Sequence, residues 1–191
     1  MLIQRIMRVI MPWTAANLPV YREIRQDEKA TNEAYMVVGA AAVAMLIGGF
    51  IGGLIGGGFV WALLSAIIGA VFYLVGWVVF VIAAQLMASK AFNAQITFKE
   101  FLRPLGYVQA PAIVNILSFI PILRAIITWL AGIYCLVLSF FAVRESTGLD
   151  TTKSIITVIV AWAAQVVIGI VIPGIILGAI FAAVVLSTLR Y

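Results

Sequence analysis

Between Glu33 and Lys90 the chain runs for 56 residues without a formal charge, and the pattern recurs further along. Arg103 to Arg124 encloses 20 uncharged residues, Arg124 to Arg144 encloses 19, and Lys153 to Arg190 encloses 36. One crossing of a bilayer core takes about 20 apolar helical residues. These tracts hold 131 of the 191 residues, too many to be the interior of a soluble domain of this length. With 65% hydrophobic and 10% charged residues, composition points the same way. The expected fold class is all-α, a polytopic transmembrane helical bundle.

The 56-residue tract must hold two crossings, since a single helix of that length would extend about 84 Å. Gly56-Gly57-Gly58 marks the division, because glycine withdraws side-chain support from a helix and permits a tight turn. The first span is read as Tyr35 to Ile55 and the second as Phe59 to Met87. Ala88 to Arg103 reads as a polar connector, with Thr97 to Phe101 as a short amphipathic surface segment. A third span is expected over Pro104 to Leu123, containing Pro111, Asn115 and Pro121. The fourth is expected over Ala125 to Val143, and the fifth begins near Thr152. Pro173-Gly174 interrupts that last tract, so five spans are expected and a sixth is left open. Gly48, Gly49, Gly52, Gly53, Gly56 and Gly57 form overlapping Gly-xxx-Gly pairs, the pattern that lets helices approach backbone to backbone. The expected use is close packing within the chain, with homodimerisation as the alternative.

Ahead of the spans lies a lead, residues 1–34, read as a cytoplasmic amphipathic unit before a membrane domain at 35–191. It begins with no pattern of a cleavable targeting peptide. On a helical wheel Leu2, Ile3, Ile6, Val9, Ile10 and Trp13 fall on one side, and Gln4, Arg5 and Arg8 on the other. A basic amphipathic helix ending in an aromatic residue suits the headgroup plane, so an interfacial helix is expected. Asn17 to Glu33 reads as a second surface helix.

Orientation follows from the basic residues. In the five-span arrangement Arg5, Arg8, Arg22, Arg25, Lys29, Lys90, Lys99, Arg103, Arg144 and Lys153 share one side. Only Arg124 and Arg190 fall opposite. By the positive-inside rule the N-terminus is cytoplasmic and the C-terminus outside. The net charge of +5 is thus spread along membrane boundaries and does not form a nucleic-acid patch.

The chain contains no histidine. Histidine-ligated haem or zinc and histidine acid–base chemistry are therefore excluded on this chain. No Asp, Glu or Lys sits well inside a span, so the carboxylate relay of many ion-coupled transporters is missing. The single cysteine, Cys135, has no partner within the chain and reads as a buried structural thiol. No enzyme activity, catalytic residue, metal site or cofactor of its own is expected. The polar residues at membrane depth are Gln85, Gln109, Asn115, Thr128, Ser139 and Gln165. Each needs a partner in hydrocarbon, and interhelical hydrogen bonds are the expected role. A polar cavity lined by Gln109, Asn115 and Gln165 is the functional alternative. Pro111, Pro121 and Pro173 would break helices beside it, as at the substrate sites of some transporters.

Phe101-Leu102-Arg103-Pro104-Leu105-Gly106-Tyr107, Ala110-Pro111 and Ile120-Pro121 together resemble the core signature of the YIP family, five-span membrane proteins named for binding Ypt/Rab GTPases. Tyr134, Leu136, Ala142-Val143-Arg144-Glu145 and Lys153 fit the same pattern. The lead, with Arg8-Val9-Ile10, Tyr21-Arg22-Glu23-Ile24 and Ala30 to Val38, resembles bacterial members. The resemblance implies helix breaks or family-motif roles for Gly106, Tyr107, Pro111, Pro121, Pro173 and Gly174. Eukaryotic relatives are implicated in Rab recruitment and in shaping early secretory membranes. This chain has no counterpart of their Asp-Leu-Tyr-Gly-Pro-type motif, so the bacterial branch and a cytoplasmic (inner) membrane are expected. The leading function is a non-catalytic scaffold, membrane-organising protein or accessory subunit of a larger assembly, such as a bioenergetic complex, with lipids and other membrane proteins or itself as partners. A small permease for an uncharged or amphipathic solute is the alternative, and a Rab-like GTPase partner follows if the chain is eukaryotic.

Overall fold

Two prolines bracket the first break in the chain. In the computed structural model, which describes residues 2–14, 16–171 and 175, α1 spans Leu2–Ile10 and α2 spans Val20–Gln26. Pro12 follows the first helix and Pro19 caps the second, placing each ring where no helical N–H is needed. The expected surface helix over Asn17 to Glu33 is instead two pieces. α2 ends at Gln26, and the next helix, α3, starts at Ala30. Nor is α2 a surface element: Val20, Tyr21 and Ile24 are fully buried, in the same apolar core as residues of the long helices.

α3 spans Ala30–Gly57 and α4 spans Phe59–Leu86, joined at Gly58 with φ +80°. That left-handed conformation is one glycine adopts without penalty, so the turn lies where the triple glycine places it. The two helices run antiparallel on small residues. A Cβ at Gly53 would lie 2.7 Å from the Ala62 Cα, and one at Gly49 would lie 3.7 Å from the Ala66 Cα. Gly49 and Gly53 meet Ala62 and Ala66 at four-residue spacing on both helices, a small-xxx-small seam. α4 continues through a π-helical turn, Met87–Ala91.

The expected third span is not one helix. α5 occupies Phe98–Tyr107, and a 3-10 segment occupies Ala110–Phe119. A capping box starts α5: the Thr97 hydroxyl accepts from the Glu100 N–H, and the Glu100 carboxylate accepts from the Thr97 N–H at 2.8 Å. Thr97 to Lys99 are exposed and Glu100 partly so, as expected of a surface segment, but from Phe101 to Tyr107 the helix is buried. Pro104 sits inside α5 and Pro111 in the first turn of the 3-10 segment, each removing a backbone donor. Packing supplies the rest of the explanation. Gly106 lies against Ala34, Asn115 and Ser118 against Gly48, and Phe119 against Gly52. From Ala34 to Gly52 an α-helix advances about 27 Å. Of the 13 residue steps from Gly106 to Phe119, nine lie in the 3-10 segment with its steeper rise of about 2 Å, so together they cover about 24 Å, close to that advance. The segment thus runs parallel to α3 over nearly the same distance with fewer residues.

Pro121 opens α6, Pro121–Thr147, and Gly148 closes it with φ +72°. Asp150 caps α7, Thr151–Val166, accepting from the Lys153 N–H at 2.8 Å, and a π-helical turn follows over Val167–Val171. Among the described residues four helices are long and apolar enough to cross a membrane: Ala30–Ile55, Phe59–Ala91, Ile122–Thr147 and Thr151–Gly169. The chain is a multi-pass, all-helical membrane protein with no strand among the described residues. Pro173, Gly174, Arg190 and the sixth crossing left open lie outside the described residues.

Candidate functional site

A cavity of about 160 Å³ lies between α3, α4, the 3-10 segment, α6 and α7. Gln109, Asn115 and Gln165, far apart in sequence, all line it. They reach it differently. Gln109 sits in the two-residue junction between α5 and the 3-10 segment, Asn115 is buried in the middle of that segment, and Gln165 lies one residue before the end of α7. Met45, Tyr73 and Cys135 on the walls come from the middles of α3, α4 and α6, so the cavity sits near half-depth of the bundle.

Part of this polar lining satisfies itself. Asn115 donates through Nδ2 to the Ala112 carbonyl at 2.9 Å and accepts from the Thr128 hydroxyl at 3.2 Å. Ser139 donates to the Cys135 carbonyl one turn back at 2.7 Å. Tyr73 donates to Gln109 Oε1 at 3.0 Å, which leaves the Gln109 amide N–H groups with no protein acceptor among the described residues. Gln165 likewise makes no hydrogen bond to any described residue, although its side chain packs on Gly76, where an added Cβ would lie 3.3 Å away. Phe80, Trp162 and Cys135 complete apolar stretches of the wall. The arrangement can accept hydrogen-bonding, uncharged chemistry and offers no formal charge. Among the described residues no cluster of three or more His, Cys, Asp or Glu side chains gathers to hold a metal.

Tyr73 and Trp162 had no signal in the sequence. Each sits in an apolar run, and only the packing of α4 on α7 brings them to the cavity. The six glycines have other surroundings. Gly48 and Gly52 face the 3-10 segment, and Gly49 and Gly53 face α4, so these four are covered within the chain. Gly56 and Gly57 form the last turn of α3. Gln85 lies away from the cavity, donating to Ser89 and to the Ile96 carbonyl.

A second polar assembly closes the end of the bundle that carries the lead. Arg5 is buried and pairs with Asp27 at 2.6 Å and Glu33 at 3.1 Å, while Tyr107 donates to Glu33. Arg103, also buried, donates to the Thr31 hydroxyl at 2.8 Å and the Arg25 carbonyl at 2.6 Å. Arg25 reaches the Gln95 carbonyl at 2.9 Å and Glu100 at 3.2 Å. Arg22 pairs with Glu145 at 3.1 Å. The hydrogen bonds from Arg5 hold the Asp27 carboxyl below its ordinary range, and those from Arg8 do the same for Glu23. Glu100 is lowered mainly by the Thr97 N–H and hydroxyl, with Arg25 adding to it. The wheel placed Arg5 on an outward polar face, but α1 is rolled so that Arg5 and Val9 point inward. A signal was present: Leu2 and Val9 flank Arg5 at three- and four-residue spacing, on the same helix face.

The family-motif residues occupy structural junctions. Gly106 permits the contact with Ala34, where an added Cβ would stand 2.6 Å from the alanine Cβ. Tyr107 ties that junction to Glu33. Pro111 and Pro121 start the 3-10 segment and α6. No curated protein and no solved structure matches the chain. The Yip1 domain, however, matches residues 16–173, which takes in α2 to α7 and every junction just described. The chain therefore belongs to the Yip1-domain family.

Proposed function

We propose that this protein is a non-catalytic scaffold or accessory subunit of a larger membrane assembly. It lies in a cytoplasmic membrane, with five crossings, its N-terminus inside and its C-terminus outside. In this reading the 3-10 segment makes the third crossing beside α3, and the ten basic residues on the side of the lead follow the positive-inside rule. The observation that carries the scaffold reading is α1. Its inward face is held by the Arg5 ion pairs, while Ile3, Met7, Met11 and Trp13 are exposed, Ile3 at 75% and Trp13 at 67%. An apolar strip fixed at the edge of a membrane domain is suited to lipid headgroups or a neighbouring membrane protein. Partner contacts would use this strip and the lipid-facing helix surfaces, since Gly48 to Gly53 is occupied from within. No nucleic acid or resident cofactor has a part in it.

Blue-native electrophoresis after mild detergent extraction tests the proposal. Co-migration with a larger complex, lost when residues 1–11 are deleted, is the expected result. A lone monomer or dimer under all mild conditions counts against it. A second reading, a small permease for an uncharged solute, is supported by the convergence of Gln109, Asn115 and Gln165 near half-depth. Its test is solute flux across reconstituted vesicles.

A further inference from the structure

The cavity has a polarity, a size and an access route, and together they specify a ligand class. We infer that it binds an uncharged, ring-sized, lipid-soluble molecule that presents a carbonyl oxygen to the amides of Gln109 and Gln165. The inference takes its site from the permease reading but needs no transport.

Charge is the first constraint. Among the described residues no Asp, Glu, Lys or Arg lines the cavity, so an ionic ligand would lose its hydration with no counter-charge to compensate. Hydrogen bonding is the second. Asn115, Thr128 and Ser139 are satisfied by one another or by backbone, whereas the Gln109 N–H groups and the Gln165 amide line the space with no hydrogen-bond partner among the described residues. Unpaired donors in an apolar setting are costly, and a carbonyl acceptor relieves that cost. Size is the third. A volume of about 160 Å³ is close to that of apolar cavities of roughly 150 Å³ that take up benzene, and Phe80, Tyr73 and Trp162 supply flat walls for a ring.

Access comes from the bilayer side. Gly132 of α6 and Trp162 of α7, which both line the cavity, are exposed, and a Cβ added at Gly132 would meet no heavy atom within 4 Å. The seam continues at Leu136 into a groove with a wholly apolar lining that includes Phe140 and Ile155. An uncharged molecule dissolved in lipid meets no polar barrier along that path.

Equilibrium dialysis of labelled 4-methylacetophenone against the full chain in nanodiscs, with empty nanodiscs subtracted, tests the assignment. One saturable equivalent per chain is expected. Its hydrocarbon isostere p-cymene, in which the carbonyl is replaced, should bind about tenfold more weakly or worse, and Gln109→Leu and Gln165→Leu should each cost about as much. Gly132→Leu should block uptake by filling the mouth. Should a variant fail to fold, the ketone–hydrocarbon comparison on the unmodified chain still decides the matter. No saturable uptake above empty nanodiscs, or equal affinity for p-cymene, overturns the inference. Saturable, carbonyl-dependent binding without flux across vesicles upholds it and removes the permease reading.

Discussion

A missing side chain decides how closely two backbones approach in this protein. Gly53 admits the Cα of Ala62 to a place where a β-carbon would stand 2.7 Å away, and Gly48 is covered by the Asn115 and Ser118 region of the 3-10 segment. At Gly39, in the same helix, an added Cβ would meet nothing within 4 Å. Gly53→Leu and Gly48→Leu should therefore each lower stability by about 1–3 kcal/mol, through forced separation of packed backbones. Gly39→Leu should change it by less than about 0.5 kcal/mol. Thermal unfolding in detergent followed by size exclusion measures all three. Equal stability across the set would mean that the seams relax without cost. The glycine pattern was legible in the sequence because Gly-xxx-Gly is a local signature. Which neighbour each glycine serves was not, because α4 and the 3-10 segment approach α3 from different directions.

Among the elements, α1 depends most on charge. Its docking rests on Arg5 with Asp27 and Glu33, and on Arg8 with Glu23 at 2.8 Å. Asp27 and Glu23 have folded-state values below their ordinary ones, so they favour the docked state once deprotonated. That contribution is fully present above the ordinary carboxylate range and is lost as pH falls through the lowered values. Tryptic cleavage after Arg5 and Arg8 would not report this cleanly, because the protease itself fails in acid. A spin-label distance between Gln4→Cys and Asn93→Cys, in a Cys135→Ala background, does. It should be narrow at neutral pH and broaden in acid, with Arg5→Ala broad throughout. A distribution unchanged by acid and by Arg5→Ala would show that apolar contacts through Leu2, Ile6 and Val9 suffice. The tract expected to form the third span teaches the opposite lesson about elements. Twenty uncharged residues look like one helix, yet Pro104, Pro111 and the contact surface of α3 divide them into a buried α-helix and a 3-10 run.

For the whole molecule the five-crossing arrangement makes a sidedness prediction. Gly57 ends α3, while Asn93, with φ 55°, lies in the loop before α5. In a Cys135→Ala background, Gly57→Cys should react with an impermeant maleimide from outside, and Asn93→Cys only after the inner face is opened. Labelling of both from one side would contradict the arrangement. Because α4 separates the two sites, their opposition tests one crossing. An additional Arg124→Cys, labelled from outside, extends the test to the 3-10 segment.

Membrane residence, helical class, the glycine turn and the alternation of basic and apolar segments were determined by the sequence alone. Each is set by local quantities: charge per segment, hydropathy over about 20 residues, and the backbone freedom of single glycines. The site was readable only as a set of candidates. Gln109, Asn115 and Gln165 were legible as polar residues in apolar runs, because a polar group in hydrocarbon must be answered. Tertiary structure alone decided which of them meet, that Tyr73 satisfies one face of Gln109, and that Arg5 turns inward to Asp27 and Glu33. Such outcomes depend on contacts between residues tens of positions apart, whose energies arise only when helices are packed. Neither the period of a helix nor the composition of a span contains that information.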